Sequence, residues 1–433
     1  MTRLAERRRG GGASEATLKL LAELFSDYHP RDFAVRLWDG TTWDPEAGQQ
    51  ARFTLAVNTP AALRALLRDP DELALAEAYI YGGLDFEGDL QAVFKVADHL
   101  LVEKTWTTAS RVRTARRLLS LPANGATKSP AQRARLSGRR FSLARDRQAT
   151  NFHYDKSNEF FALWLDERML YTTAYFTSET DTLEQAQDAK VDLICRKLRL
   201  RPGDRLLDIG CGWGTLVVHA AERYGAEVVG ITLSEEQAKW ARDWIERAGV
   251  GDRVRIEIAD YRELDGSERF DKVAAVGMFE HVPHAQLDQF FGTAYRVLRP
   301  RGVFLNHAIA RPLLQPPRRG RSFMDSYVYP DGELKAISVA LRAAEEAGFE
   351  VRDVENLREH YPPTLREWLR RLEENREAVI RETDEASYRV FRLYLAGSIH
   401  GFSTGRLNVC QSLLAKPENG VSGLPLQRGD WYA

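Results

Sequence analysis

The segment Leu206 to Gly214, LLDIGCGWG, places three glycines within five positions, directly after an apolar run and an acid. Glycine has no Cβ, so a ligand can approach the backbone of such a turn closely. The spacing is G-x-G-x-G, whereas a dinucleotide-binding turn has G-x-G-x-x-G and a phosphate loop needs Gly-Lys-Ser or Gly-Lys-Thr. The turn therefore predicts a ligand that is not bound through phosphate, with a plain tight turn as the alternative.

Three nearby features favour S-adenosylmethionine (SAM) as this ligand. Asp208 ends the first strand, where an acid can order the turn or accept a hydrogen bond from an ammonium group. A second strand, AEVVGITLS, follows at the usual distance, and a third ends in Asp260-Tyr261, where a ring can face an adenine. SAM carries an ammonium, a carboxylate, a ribose and an adenine but no phosphate, which matches this set.

Alternating strands and helices from about residue 183 position these residues. The strands are rich in Val, Ile and Leu, which is typical of a parallel sheet buried on both faces. Such a sheet binds its ligand beyond the carboxyl ends of its strands. Two late segments, FEVRDVENL and RLNVCQSLLAK, are expected to pair at the sheet edge, with a long helical stretch from about Thr364 to Ala396 between them.

Composition shifts divide the chain into four parts. Residues 1–14 are expected to be a disordered tail, and residues 15–110 a small α+β domain with a turn at Asp39-Gly40. Residues 111–147 form a basic linker, with eleven Lys or Arg and a single acid, Asp146. This stretch is either a solvated linker or a surface for an anionic partner, since each basic residue near an anionic bilayer contributes about 1 kcal/mol. Residues 148–433 form the α/β domain.

The composition of the whole chain excludes several classes of protein. The 433 residues hold 61 Lys and Arg against 62 Asp and Glu, which gives no general attraction to nucleic acid. The three cysteines are widely spaced, which fits a reducing cytoplasm and no disulfide framework. No apolar run reaches the roughly 18 residues of a membrane span. Any membrane contact is therefore expected to be peripheral.

Several ordered motifs carry a family resemblance over residues 150–416. LLDIGCGWGT, VVGITLSEEQ, VGMFEHV and FLNHAIA, preceded by FHYDKSNEFFALWLDERMLYTTAYF, resemble the cyclopropane-fatty-acyl-phospholipid synthase family, which includes the mycolic acid cyclopropane synthases. The N-terminal part resembles the extra domain of the longer, phospholipid-acting members. The resemblance implies a class I SAM-dependent methyltransferase domain with a Rossmann-like, mostly parallel seven-stranded sheet. It also implies methyl transfer from SAM to a cis double bond of a lipid acyl chain.

The resemblance also implies the residues that contact the cofactor. They are Tyr171, Thr172, Asp208, Gly210, Cys211, Gly212, Gly214, Thr232, Leu233, Gln237, Tyr261 and Arg262. Tyr261 stands where the family commonly has tryptophan, a departure that keeps an aromatic ring.

Methylation of an alkene leaves a carbocation, so the site must exclude water, and aromatic faces stabilise a cation. The stretch from Phe152 to Phe176 supplies eight aromatic rings for this purpose, or for ordinary core packing. The family removes the final proton with a bound bicarbonate, which the resemblance assigns to Glu280, His307 and Tyr361. Backbone groups near Thr173 and Ile309 complete that set. A metal at Glu280-His281 is disfavoured, because adjacent strand residues point apart.

Two departures bear on the product. Pro283 replaces a family glycine and is expected to do little harm, whereas Ser398 replaces a family cysteine. The cation can lose a proton from the new methyl group and close to a cyclopropane ring. Alternatively a hydride shifts first, and proton loss then gives a methylene branch; Ser398 favours the methylene outcome.

A SAM methyltransferase for a non-lipid substrate, and a degenerate binding module without activity, are the competing interpretations. We further expect a homo-oligomer at the membrane surface, no nucleic-acid partner, and a reductase that saturates a methylene product.

Overall fold

The computed structural model describes residues 2–63, 72–100, 104, 133–154, 156–315 and 322–432, with side chains from residue 12 onward. Two compact units divide the chain. The first consists of Met1–Arg133, Gly320–Tyr327 and Asp384–Gly397, and the second of Ala134–Arg319, Val328–Thr383 and Ser398–Ala433. No helix in the described ranges is both long and apolar enough to cross a membrane.

The first unit contains a small mixed sheet. Its elements are α1 (Thr2–Leu24), β1 (Phe33–Leu37), β2 (Thr42–Trp43), β3 (Phe53–Val57), α2 (Glu72–Ile80), β4 (Leu84–Gly88) and α3 (Leu90–Asp98). The strand order is β2-β1-β3-β4, and only β1 and β3 are parallel. The turn expected at Asp39-Gly40 joins β1 to β2, with Gly40 at a φ of 85°.

The expected disordered tail is part of α1 in the structure. The helix begins at Thr2 and is continuous to Leu24. Its C-terminal half buries Leu20, Leu21 and Leu24, which anchors the helix. Once a helix is nucleated, each added residue gains a backbone hydrogen bond, while each glycine in a helix is about 1 kcal/mol less favourable than alanine. Residues 3–12 continue this helix in the structure.

The second unit contains the larger sheet. Its elements are α4 (Leu143–Tyr154), α5 (Asn158–Ala162), α6 (Leu183–Leu198), β5 (Arg205–Ile209), α7 (Thr215–Tyr224), β6 (Glu227–Thr232), α8 (Glu235–Ala248), β7 (Val254–Ile258), β8 (Phe270–Val276), α9 (Leu287–Val297), β9 (Leu298–Ala310), α10 (Ile337–Glu346), β10 (Glu350–Asn356), α11 (Tyr361–Glu374), α12 (Arg376–Glu382), α13 (Glu385–Ser403) and β11 (Asn408–Ala415). The first unit includes α13 up to Gly397.

The seven strands follow the order β10-β11-β9-β8-β5-β6-β7. Strands β9, β8, β5, β6 and β7 are parallel, whereas β11 is antiparallel to both of its neighbours. The chain passes from β5 outward to β7 and then returns to β8 on the other side of β5. This change of direction opens a crevice beyond the carboxyl ends of β5 and β8, the usual ligand position in such sheets. The expected α/β fold and the late strand pair are confirmed.

Helices cover both faces of this sheet. One face packs against Val191 and Ile194 of α6 and Val217 of α7, all buried. The other face packs against Phe290 and Phe291 of α9, also buried. The near-continuous apolar strands are thus explained by burial on both sides.

The expected long helical stretch from about Thr364 to Ala396 consists of three helices, α11, α12 and α13. Asn375 separates α11 from α12 and donates its side-chain amide to the Leu163 carbonyl, 2.9 Å away. The carboxylate of Asp384 accepts from the Ser387 backbone N–H at 2.6 Å and so caps the start of α13. Both polar side chains form local or tertiary hydrogen bonds that compete with a continuous helix.

The expected domain boundaries differ from the two units in two ways. Of the basic stretch 111–147, residues 111–132 lie outside the described residues, residues 133–142 precede α4, and residues 143–147 belong to it. Two late segments also join the first unit. There the Tyr327 hydroxyl donates to Glu77 at 2.7 Å, and Arg389 donates to the Tyr79 carbonyl at 2.9 Å. Such long-range contacts leave no local sign in the sequence.

Candidate active site

A cavity lies in the second unit at the carboxyl ends of β5, β6, β7 and β8. Eleven of the twelve residues expected at the cofactor line it. They are Tyr171, Thr172, Asp208, Gly210, Cys211, Gly212, Thr232, Leu233, Gln237, Tyr261 and Arg262. The fold thus brings residues from four separate segments of the chain into one wall.

The three glycines of the turn have different roles. The backbone N–H groups of Gly210 and Cys211 both donate to the Ile231 carbonyl, at 2.9 and 3.0 Å, which folds the turn over β6. A Cβ on Gly212 would have no heavy atom within 4 Å in the described structure, so this glycine leaves space on the ligand side. A Cβ on Gly214 would lie 2.9 Å from the Ala241 Cβ. Gly214 therefore permits close packing of α7 on α8 and does not line the cavity, contrary to the expectation.

Asp208 and Lys190 place opposite charges in the cavity wall. Both side chains are buried, and the Lys190 ammonium donates to the Thr172 hydroxyl at 2.9 Å. Burial raises the pKa of Asp208 to about 7, and the nearby Lys190 opposes this rise. Burial likewise lowers the pKa of Lys190 to about 7, against the attraction of Asp166 and Asp208. The Oδ1 atom of Asp208 has no hydrogen-bond partner among the described residues, so it can accept from the ammonium group of SAM.

The opposite end of the cavity is organised by Arg262. Its guanidinium donates to Asp260 at 2.8 Å and forms an ion pair with Asp146, also at 2.8 Å. The neighbouring Tyr261 ring is 7 % exposed and packs edge-on against Phe290, with ring centroids 5.3 Å apart. The sequence singled out Asp146 only as the one acid in a basic stretch. Its place in the cavity wall follows from its pairing with Arg262, which local sequence does not reveal.

Thr232 and Gln237 lie between these two ends. The Thr232 hydroxyl donates to the Gln237 side-chain oxygen at 3.0 Å. Ser234 caps α8 by accepting from the Gln237 backbone N–H at 3.3 Å. The cap fixes the first turn of α8, and with it the Gln237 side chain, against the cavity.

Aromatic rings form a dry layer on one side of the cavity. Tyr154, Tyr171 and Trp213 line it directly. Behind them, the rings of Phe161 and Trp213 lie 5.0 Å apart, and those of Trp164 and Tyr171 lie 5.2 Å apart. The stretch from Phe152 to Phe176 therefore contributes both to the cavity and to the core. Trp213, although it lies within the glycine turn, was not anticipated as part of this layer.

Glu280 and His307 each adjoin residues of the cavity wall. Glu280 follows β8, and its Oε1 accepts from the Ile309 backbone N–H at 2.7 Å. His307 lies two residues earlier on β9, where its carbonyl accepts from the cavity residue Gly277 at 2.9 Å. Burial raises the pKa of Glu280, whereas it lowers the pKa of His307 to about 3. Glu280 Oε2 and His307 Nε2 are both enclosed and lack hydrogen-bond partners in the described ranges.

The remaining expected residues reach the same region through α11 and α13. Tyr361 begins α11 and packs on Phe402 of α13, with ring centroids 4.3 Å apart. Thr364 of α11 accepts from the Ala174 backbone N–H at 3.1 Å, which holds the buried Thr173 beside α11. Ser398 lies one helical turn before Phe402, so the two residues share a face of α13.

Six residues were expected in the catalytic site: Glu280, His307, Tyr361, Thr173 and Ile309 for proton removal, and Ser398 for the choice of product. None of them lines the cavity itself. The cavity residues Thr172, Gly277 and His281 adjoin them in sequence or by hydrogen bond. The Ile309 N–H is already bonded to Glu280, so its observed role is to orient that carboxyl group.

Comparison with known proteins gives the family. The family model described as mycolic acid cyclopropane synthetase matches residues 141–412, and one described as a domain of unknown function matches residues 20–100. A probable fatty acid methyltransferase of Pseudomonas putida is 40 % identical, over 92 % of this chain and 95 % of its own length. A second probable fatty acid methyltransferase, Rv3720 of Mycobacterium tuberculosis, is 36 % identical over 92 % of this chain and 94 % of its own length.

A solved structure of the mycolic acid cyclopropane synthase CmaA1, complexed with SAH and CTAB, matches 62 % of this chain and 97 % of its own. Its sequence is 34 % identical and the TM-score is 0.59. The matched glycine turn and the cavity at the strand ends agree with this relationship. The chain therefore belongs to the mycolic acid cyclopropane synthetase family and is a SAM-dependent methyltransferase that acts on fatty acyl chains.

Proposed function

We propose that this enzyme methylates the cis double bond of an unsaturated acyl chain in a membrane phospholipid and yields a methylene-branched chain. Bound SAM supplies an electrophilic methyl group on a sulfonium. The observation that carries the proposal is that Glu280 Oε2 and His307 Nε2 are each enclosed without a partner in the described ranges, on residues that adjoin a cavity with an aromatic wall. A reaction through a carbocation needs both a dry site and a nearby base.

Different residues of the chain would serve different steps of this reaction. The aromatic layer excludes water and presents ring faces that stabilise positive charge on the acyl chain. Glu280, His307 and Tyr361 would hold a bicarbonate ion, which supplies the base for the last proton. The fit rests on the unpartnered Glu280 and His307 atoms, because enclosed polar groups in native proteins nearly always have a partner.

Ser398 supports the methylene product. It lies on the same face of α13 as Phe402, which packs on Tyr361, one of the residues proposed to hold the bicarbonate. A serine hydroxyl is less polarisable than a thiol and does not readily ionise. The two relatives that match nearly the whole chain are named probable fatty acid methyltransferases, which is compatible with a branched product. A separate reductase would then saturate the branch.

The turn after β9 supports action at a membrane surface. Leu313 and Leu314 are 62 % and 93 % exposed. They follow the carboxyl end of β9, which is parallel to β8 and so ends at the same sheet edge as the cavity. Exposed leucines at the mouth of a lipid-modifying site are suited to enter the acyl region of a bilayer. The CmaA1 structure, which contains the long-chain surfactant CTAB, is compatible with an apolar chain at this edge.

The chemical structure of the acyl product tests the proposal. Purified enzyme, SAM and bicarbonate are incubated with dioleoyl phospholipid vesicles, and the extracted acyl chains are analysed by proton NMR. We expect vinylidene signals in the alkene region, none with saturated vesicles, and none from the Glu280→Gln variant. Shielded ring-methylene signals instead would establish the cyclopropane alternative. Methyl consumption without any lipid product would contradict a lipid substrate altogether.

A further inference from the structure

A line of hydrogen-bonded side chains reaches His307 from the side away from the cavity. Lys197 of α6 is fully buried and forms an ion pair with Glu355 of β10. Its ammonium also donates to the side-chain oxygen of Gln411 at 2.8 Å. The Gln411 amide nitrogen in turn lies 3.2 Å from His307 Nδ1. Lys197, Gln411 and Glu355 are not among the site residues expected from the sequence.

The sheet register brings the last two members together. Gln411 of β11 is directly opposite His307 of β9 in the antiparallel ladder. Directly opposed residues place their side chains on the same face, close enough to interact. Gln411 is 1 % exposed, so its amide cannot turn to water for a substitute partner.

Lysine sets the direction of these hydrogen bonds. An ammonium group can only donate, so Gln411 must turn its oxygen toward Lys197. The amide nitrogen then faces His307, and because an amide NH2 can only donate, His307 Nδ1 must accept. A neutral imidazole that accepts at Nδ1 carries its proton on Nε2.

The ring of His307 is neutral under ordinary conditions. Burial lowers its pKa to about 3, and the positive charges of Lys190 and Lys197 add to the effect. Its Nε2 atom is the one that is enclosed without a partner in the described structure. Nε2 therefore presents an N–H donor on the side of the ring opposite Gln411.

We infer that Lys197 and Gln411 are positioning residues that hold the His307 proton on Nε2, so that His307 can donate a hydrogen bond to the anion that removes the substrate proton. The anion belongs to the proposed function, on which this part of the inference rests. The position of the His307 proton depends only on the side chains of Lys197, Gln411 and His307. With the opposite tautomer, Nε2 would present a lone pair to a negatively charged group and repel it.

The tautomer can be measured directly. In protein labelled with 15N-histidine, nitrogen–proton correlation spectra distinguish an Nε2–H ring from an Nδ1–H ring, and a His307→Asn sample identifies the signal. We expect Nε2–H in the native enzyme. In Gln411→Glu the carboxylate still accepts from Lys197 but cannot donate, so His307 must switch to Nδ1–H. Gln187→Glu, the same change at another buried glutamine, should leave the His307 tautomer unaltered.

Lys197→Met gives an independent check. Without the ammonium, Gln411 is free to reverse its amide, so we expect a mixture of both His307 tautomers. An Nδ1–H ring in the native enzyme, or an unchanged Nε2–H ring in both Gln411→Glu and Lys197→Met, overturns the inference.

Kinetics separate this inference from the proposed function. In Gln411→Glu, the bicarbonate concentration for half-maximal turnover should rise about tenfold or more, the effect of losing a hydrogen bond to a charged group. The affinity for S-adenosylhomocysteine, measured by calorimetry, should stay the same. A tautomer switch with unaltered bicarbonate dependence would overturn the role in anion binding, while the absence of any acyl product from native enzyme would refute the proposed function alone.

Discussion

At the scale of single residues, Lys190 and Asp208 illustrate how the cavity holds charge. Each side chain is buried, and each moderates the shift that burial imposes on the pKa of the other. Lys190 also donates to Thr172 in the loop that lines the cavity. The pair therefore links the end of β5 to that loop and keeps a carboxylate ready for a cationic ligand.

Replacing Lys190 with methionine should weaken cofactor binding. Without the ammonium, the pKa of Asp208 should rise further, so that its carboxyl group is protonated at neutral pH and loses its attraction for an ammonium group. We expect the affinity for S-adenosylhomocysteine to fall about tenfold or more, as when a hydrogen bond to a charged group is lost. In native enzyme the affinity should decline as pH falls through about 7, and in the variant this decline should begin at higher pH.

Isothermal titration calorimetry over a range of pH measures both the fall in affinity and the shift of its pH dependence. Lys272→Met is the matched control, because Lys272 lies near the amino end of β8 and does not line the cavity. Equal affinities of native enzyme and Lys190→Met at every pH would show that the pair has no part in cofactor binding.

Two glycines of the turn, Gly212 and Gly214, have different structural roles. Gly212 and Gly214 both have positive φ, 54° and 91°, and stand two positions apart in one motif. Gly212 faces open space, whereas Gly214 fits against Ala241. The same residue type therefore serves a ligand at one position and helix packing at the next, and only the neighbouring helix decides which.

At the scale of elements, the carboxyl ends of β5 to β9 gather the functional groups. Apart from Tyr171 and Thr172, the residues predicted to contact the cofactor lie at or after the ends of β5, β6 and β7, while Glu280 and His307 belong to the ends of β8 and β9. Parallel strands end at one edge, so residues distant in sequence meet there without long loops. The turn after β9 extends this edge with Leu313 and Leu314, which makes it the element to test for membrane contact.

Replacing both Leu313 and Leu314 with serine should weaken binding to phospholipid vesicles. Burying a leucine side chain contributes about 1.5–3 kcal/mol, so losing two should lower vesicle affinity by tenfold or more. Sedimentation of the protein with dioleoyl phospholipid vesicles measures this affinity. Cofactor affinity should be unchanged, since neither leucine lines the cavity.

Leu426→Ser is the matched control for this experiment. Leu426 is 99 % exposed, and the adjacent Gln427 carbonyl accepts from Arg199, at the end of α6 and therefore at the opposite sheet edge. If Leu426→Ser weakens vesicle binding as much as the double replacement, the turn after β9 has no special role.

At the scale of the whole molecule, buried histidines connect stability to pH. His153 is 2 % exposed, donates from Nδ1 to the Val328 carbonyl at 2.9 Å, and stacks on Tyr329. Burial, with a smaller effect from His281, lowers the pKa of His153 to about 3. In the unfolded chain its pKa returns to about 6.5, so the unfolded state takes up a proton first as the solution is acidified.

His153 therefore contributes stability above pH of about 6.5 and loses it as the pH falls toward 3. Each pH unit below 6.5 costs about 1.4 kcal/mol of the free energy of unfolding. His153→Gln removes this titration, so the variant should gain about 1.4 kcal/mol relative to native protein between pH 7.5 and pH 5.5. Urea unfolding followed by tryptophan fluorescence at the two pH values gives the difference.

His284→Gln serves as the control, because His284 is exposed. Its stability relative to native protein should change little between the two pH values. Parallel stability curves for native protein and His153→Gln would mean that His153 is not excluded from water in solution.

The sequence by itself determined the parallel sheet, the glycine turn and the chemistry of the cofactor. These features depend on local patterns: apolar runs mark strands buried on both faces, and glycine spacing marks where a backbone is approached closely. The family motifs added Glu280, His307 and Tyr361, whose neighbours in sequence are distinctive.

Only the tertiary structure decided what surrounds these groups. Asp146, Gln411 and the two lysines of α6, Lys190 and Lys197, acquire their roles from partners in other segments of the chain. Strand register sets Gln411 against His307, and burial shifts the pKa values of Asp208 and His307. Register and burial depend on how distant segments pack, and that packing is a property of the whole second unit rather than of any local stretch.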